Sequence, residues 1–375
     1  MLFAPYLLAL ATALAIRDES QPLKFSLNKN TRPEVVEPDR TTRAGPAGQR
    51  AQLWVDGYYY MIDVELGTKG QKFSVEIDTG SADLWINKPE IHDLSSWKNL
   101  SEPFSIGYYD QTSLHGWFGT SSLWLDNGLE VKDYQWVVAD NLSKNPNGFA
   151  GIFGVGRVEN ESTNKKYPNF VQRLKDDGQI KTNGYSYYLN AKDATSGDIV
   201  FGGIDKAKIN GTVATIPLNT GTPDSRFDNI QLTKITGSDG EVLGENIEVN
   251  LDTGYTITKL PKAIVAQIQK KVPNTVRKDG LIFVPCNIPS DLYYSLWFND
   301  VEVRFSLNDL AIRARDDKGT LTGSCILGVQ PTPEGTPNTL GVSSLTHMYV
   351  TVDHDKNVAL ISNVHHTDEE NIVLL

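Results

Sequence analysis

Two short stretches of this chain place a carboxylate where it could do acid–base work. Asp78-Thr79-Gly80 follows Phe73, Val75 and Ile77, and Asp252-Thr253-Gly254 follows Ile247, Val249 and Leu251. In both, apolar residues alternate with polar ones and run directly into the Asp. Alternation of period two marks a half-buried strand and puts the Asp at a strand-to-loop junction, opposite the apolar trio. Thr can hydrogen-bond the loop, and Gly permits a tight turn and close approach of another backbone. One Asp-Thr-Gly is an ordinary turn sequence. Two copies, 174 residues apart and each behind an alternating strand, imply two similar halves that each present one carboxylate. Facing closely, two such groups cannot both ionise cheaply and hold one shared proton in acid. The charged member could deprotonate a water while the other donates to a carbonyl oxygen, which is amide hydrolysis without a metal or covalent intermediate. A glycosidase also uses two carboxylates, but at wider separation and commonly with sugar-stacking aromatics. No Gly-x-Ser-x-Gly stretch supplies a serine nucleophile.

The elements that must hold these residues read mostly as strands. YYYMIDVELGT, GDIVFGG and MYVTVDHDKNVALI alternate apolar and polar residues between Gly, Asn, Asp and Pro. Helical patterns are confined to 169–176, stopped near Gly178, and 261–271, which opens with Pro261 and closes before Pro273. A length of 375 residues, 39% hydrophobic, is enough for two or three compact units with sizeable cores. Thirty-one Gly and 18 Pro suit a chain with many turns. Lys and Arg number 35 against 46 Asp and Glu, a net charge of −11. That balance argues against nucleic acid or an anionic membrane as the main partner.

The N-terminus reads differently. Residues 2–15 form an apolar run ending in Ala13-Leu14-Ala15, too short to span a bilayer, and are expected to be a secretory signal comprising residues 1–15. Residues 16–50 are basic, poorly periodic and proline-bearing, ahead of an acidic body; they read either as a pro-segment cut after Arg43 or Arg50, or as a plain linker. Secretion gives meaning to the two cysteines: Cys286 and Cys325 have one possible intramolecular pairing, and neither has a second Cys or His pair at zinc-ligand spacing. Asn99, Asn141, Asn160 and Asn210 head N-x-S/T sequons and are candidate glycan sites. No metal or cofactor is called for.

Over residues 55–362 the chain resembles the pepsin-like aspartic proteases, especially secreted fungal ones. VEIDTGSADLWI is similar to the family's first catalytic loop and NLDTGYTITKLP to the second. FGGIDKAKINGTVATIPL, at 201–218, resembles the inter-lobe segment, Gly151-Ile152-Phe153-Gly154 the apolar element under the first loop, and Leu340-Gly341 its partner under the second. The Cys286/Cys325 spacing is similar to that of the C-lobe disulfide.

The resemblance implies an all-β dominated, bilobed fold with a central cleft and a few short helices: an N-terminal lobe at 51–218 and a C-terminal lobe at 219–375. Asp78 and Asp252 would be catalytic, with Thr79, Ser81, Trp85 and Thr253 in support. FSIGYYDQTSLHG, at 104–116, sits where the family has a hairpin flap, with Tyr108 bonded to the Trp85 indole. Gly80, Tyr108, Asp110, Thr112, Gly254, Tyr255 and Thr256 would line the substrate, an extended peptide, and pepstatin-like inhibitors would bind in its place. A monomer is expected. A Lys or Arg of 16–50 would pair with the two carboxylates at neutral pH and loosen in acid. The chain also departs from the family pattern. Tyr255 stands where a Ser or Thr usually supports the second carboxylate, Tyr109 and Gln111 replace flap glycines, and Val342 and Ser344 replace an acidic and an aromatic residue. These departures motivate the competing reading, a catalytically silent peptide-binding or inhibitor module.

Overall fold

The computed structural model describes residues 20–36, 53–108, 113–142, 149–191, 194–219, 226–278, 280–315 and 320–375. Among them regular structure is mostly strand, with three α-helices at Phe170–Asp176, Lys262–Lys271 and Val342–Leu345. The strands form a 17-stranded sheet drawing on both halves of the chain, a 7-stranded sheet and a 2-stranded pair. The alternation in the sequence is what builds them. In Ser113–Leu125, Leu114, Phe118, Leu123 and Leu125 turn inward while His115, Trp117, Ser122 and Trp124 stay more open. Fully burying each large apolar side chain contributes about 1.5–3 kcal/mol. The helix Phe170–Asp176 begins where Asn169 accepts the Gln172 N–H, and Phe170, Val171 and Leu174 are its inner face.

The internal repeat extends from the tripeptides to the topology around them. Lys72–Asp78 lies between an antiparallel partner, Leu53–Leu66, and a short parallel one, Gly151–Gly154, with Asp78 beside Gly154. Val242–Leu251 lies between antiparallel Asn229–Gly237 and parallel Thr339–Leu340, with Leu251 beside Leu340. Each carboxylate therefore leaves its strand at the same point of the same three-strand arrangement. The strands were expected to be half-buried, but their ends are buried on both faces: Glu76 and Asn250 are as enclosed as Ile77 and Leu251.

The segment before residue 51 departs most from expectation. Leu23–Val36 is a strand, pairing antiparallel with Ser196–Phe201 and with Leu53–Leu66. Its Phe25 and Leu27 are core residues, 6% and 0% exposed, and Phe25 packs on the Phe201 ring at 5.9 Å. The alternation Leu23, Phe25, Leu27 was present in the sequence but masked by the basic, proline-bearing residues around it. Lys24 pairs with Asp198 and Glu370, and Lys29 lies 4.8 Å over the Tyr58 ring, so these two cations are engaged away from the carboxylates. Arg40, Arg43 and Arg50 lie outside the described residues, as does the 1–15 segment. Cys286 and Cys325 are joined, linking Leu281–Val284 to Leu321–Leu327 where these strands already pair.

Since Leu27 fills the core, Leu27→Ala is expected to cost about 2–5 kcal/mol, read by urea denaturation. A chain beginning at Ala51 should melt well below one beginning at Ser20; equal melting temperatures would show the strand to be dispensable.

Candidate active site

The two Asp-Thr-Gly loops meet. Each threonine hydroxyl accepts one backbone N–H and donates to one carbonyl, both from the other half. Thr79 Oγ1 takes the Thr253 N–H at 3.0 Å and donates to Leu251 O at 3.0 Å; Thr253 Oγ1 takes the Thr79 N–H at 3.1 Å and donates to Ile77 O at 2.8 Å. A hydroxyl carries one donor and two acceptor positions, so threonine fits this reciprocal exchange. Both threonines are buried. The glycines are dictated by proximity: a Cβ on Gly80 would stand 2.5 Å from the Asp252 carboxyl carbon, and one on Gly254 2.5 Å from Asp78 Oδ1. Each carboxyl group therefore lies against the glycine of the opposite loop, close enough for the charge of Asp78 to act on Asp252.

Their local support differs. Asp78 receives the Gly80 N–H on Oδ1 at 2.8 Å and the Ser81 hydroxyl on Oδ2. Asp252 receives the Gly254 N–H on Oδ1 at 2.9 Å. Burial pushes the Asp78 carboxyl up, against the pull of Ser81 and Gly80. Burial, followed by the charge of Asp78, pushes Asp252 far above the usual carboxylate range. The pair therefore carries a proton well beyond the pH at which a solvated Asp loses its own.

More acids lie buried beside the first loop. Asp83, 1% exposed, accepts the Tyr167 hydroxyl at 2.6 Å and the Ser162 N–H at 2.8 Å, and burial raises it. Glu161 accepts the Tyr167 N–H at 2.9 Å, and burial pushes it up to about 8. Asn160 donates its amide to Gly80 O at 2.6 Å, tying the first loop from outside. Asp228 behaves oppositely. Its backbone carbonyl takes the Leu251 N–H, while its carboxylate meets His354 Nε2 at 2.9 Å and the Tyr185 hydroxyl at 2.7 Å. Burial works against its charge, but His354, Tyr185 and Arg157 hold it below the ordinary range. Sequence reasoning missed Asp83, Glu161 and Asp228, because nothing in their neighbours marks them as buried.

The two strands of the expected hairpin are paired. Lys98–Gly107 pairs with Ser113–Leu125 from Gly107 opposite Ser113 onward, and Trp85 Nε1 donates to the Tyr108 hydroxyl at 2.7 Å. Ile106, Tyr108 and Phe149 stay partly open, packed over Trp85, Phe104, Leu114 and Ile152. Asp110 and Thr112, with Tyr109 and Gln111, lie outside the described residues. Thr256 is corrected: expected against the substrate, it is fully buried, and its hydroxyl takes the Tyr58 N–H at 3.0 Å. Tyr255 is half-buried, and its carbonyl takes the Val342 N–H at 2.8 Å. Among the sequons, Asn99 and Asn210 are exposed, while the side chain of Asn141 lies outside the described residues. The half-buried Asn160 amide is committed to the first loop, which disfavours a glycan there. Among the described residues no His, Cys, Asp and Glu side chains gather as a metal site, and no helix is long and apolar enough to cross a membrane.

The family model for eukaryotic aspartyl proteases matches residues 59–364. Candidapepsin-2 of Candida parapsilosis is 32% identical over 319 residues, 79% of this chain and 74% of its own. Secreted aspartic protease 3 of Candida albicans is 28% identical over 341 residues, covering 84% and 82%. The crystal structure of an aspartic proteinase from Irpex lacteus matches in fold with a TM-score of 0.70 at 22% identity, over 83% of this chain and 95% of that one.

Thr79→Val would strip a partner from the Leu251 carbonyl and the Thr253 N–H, at about 1–3 kcal/mol for each buried group. Thr253→Val should cost a similar amount, and the double variant less than the sum, since the four bonds are one network. Glu161 binds its proton more tightly folded than unfolded, so the stability it contributes is present below about pH 4.5 and lost as pH rises towards 8. Glu161→Gln should flatten the fall of melting temperature between those limits; an unchanged slope would assign that fall to other acids.

Proposed function

The chain belongs to the eukaryotic aspartyl proteases and is a pepsin-like aspartic endopeptidase, and on that footing we propose that Asp78 and Asp252 are its catalytic pair, acting on a water held between them. The observation that carries this reading is the approach of each carboxyl group to the glycine of the opposite loop. The charged carboxylate removes a proton from the water as its oxygen bonds to the peptide carbonyl carbon. The protonated partner gives its proton to the carbonyl oxygen, forming a neutral gem-diol. In the second step the diol returns one hydroxyl proton to the pair, the leaving nitrogen gains a proton, and the C–N bond breaks to give a carboxylic acid and an amine.

The substrate is an extended peptide. It lies under the Lys98–Gly107 and Ser113–Leu125 hairpin, with Gly80, Gly254, Tyr255, Asp110 and Thr112 along its course. Ile106, Tyr108 and Phe149 above the Trp85 and Phe104 cluster favour large apolar side chains flanking the scissile bond. Tyr108, held by Trp85, covers the bond and keeps bulk water out. Pepstatin-like inhibitors occupy the same place. The relatives include one named a secreted aspartic protease, and this chain follows the same route: residues 1–15 lead it to the secretory pathway and residues 16–50 are a pro-segment. Because Phe25 and Leu27 are core residues, a cut after Arg43 or Arg50 leaves Leu23–Val36 held in the sheet without a covalent link. The lobes divide near residue 218.

A fluorogenic peptide with large apolar residues on both sides of one bond, assayed between about pH 3 and 6, should be cut in a pepstatin-sensitive manner. Asp78→Asn and Asp252→Asn should each lower kcat by at least about 10²–10⁴-fold. Retention of wild-type turnover by either variant would reject the assignment of the pair.

A further inference from the structure

The two loops are built alike except at one position. Ser81 follows the first Asp-Thr-Gly and puts its hydroxyl on Asp78 Oδ2; Tyr255 follows the second. Tyrosine at this position has no hydroxyl on its Cβ, and its ring lies with the apolar cluster of Ile257, Leu281, Ile312, Ala314 and Ile326, 5.9 Å from Lys259 Nζ. Among the described residues, the hydrogen bond that the Asp252 carboxyl receives comes from the Gly254 N–H. We infer that Tyr255 is a positioning residue that breaks the symmetry of the pair: by withholding the hydroxyl that Ser81 gives Asp78, it leaves the shared proton on Asp252 and the charge on Asp78. This rests on the catalytic assignment proposed above and goes beyond it, because two equally supported carboxyls would share the two states evenly.

The surroundings agree with this division. The charge that acts on Asp252 is that of Asp78 in the opposite loop. Tyr187, from the strand Gly184–Tyr188, is a buried phenol whose ionisation both Asp252 and Asp228 oppose, so it stays neutral. Asp228 behind the strand is paired with His354 and Tyr185. None of these supplies the missing stabilisation of an ionised Asp252. In hydrolysis Asp78 then takes the water proton, and Asp252 gives its own to the carbonyl oxygen. A second consequence is that the singly protonated pair persists to higher pH than a pair with a hydroxyl on each side.

The test is the pH profile of kcat/KM for the fluorogenic peptide from about pH 3 to 8, which reports the ionisations of the free enzyme. Tyr255→Ser should add a donor to Asp252 and move the alkaline limb down by about one to two pH units, the worth of a hydrogen bond to a charged group. Tyr255→Phe, which restores no hydroxyl at Cβ, should leave that limb in place. Ser81→Ala should instead move the acid limb up, since it weakens the ionised Asp78. Tyr255→Thr offers the same hydroxyl should the serine variant fold poorly, and thermal melting of each variant checks its fold. An alkaline limb unmoved in the folded Ser or Thr variant, or moved equally by Phe, overturns the inference. Asp78→Asn and Asp252→Asn are assayed alongside: if they keep activity, the catalytic assignment itself fails. If they lose it while the Tyr255 profile stays fixed, only the role of Tyr255 fails.

Discussion

Two like-charged groups must be brought together out of water, and they resist it. The exchange between Thr79 and Thr253 is what overrides that resistance. Its four hydrogen bonds cross between the halves, and each would leave a buried backbone group unpaired if the loops drew apart. The paired glycines then leave out the side-chain atoms that would collide with the opposite carboxyl groups, and the parallel strands Gly151–Gly154 and Thr339–Leu340 fix where each Asp leaves its sheet.

Around this exchange the protein has buried several acids, and treats them in two ways. Asp78, Asp252, Asp83 and Glu161 are all raised chiefly by burial, whereas Asp228 is held ionised by its partners. A fold with this division is at ease when protons are plentiful, because its raised acids are then neutral and cost little to enclose. The chemistry of the pair and the stability of the loop beneath it are thus tied to the same range of acidity.

Much of the site could be read in the sequence, because it rests on repeated local patterns. The alternating strands into Asp78 and Asp252, the single cysteine pairing and the helices near 169–176 and 261–271 all follow from spacing and residue type, whereas the Trp85–Tyr108 bond was legible only through the family resemblance. What escaped depends on contacts distant along the chain. Leu23–Val36 is held by partners around residues 53–66 and 196–201, which its basic surroundings do not announce. Thr256 looks like a loop hydroxyl until Tyr58 is seen to claim it. Asp83 and Glu161 look like surface acids until Tyr167 arrives between them. Asn160 carries a sequon, yet its amide is spent on Gly80.

The reciprocity of the threonines has one more consequence. Neither half owns a complete site, for each borrows the other's hydroxyl to finish its own loop. The molecule is therefore built as a clasp, in which each loop is finished only while the two jaws meet.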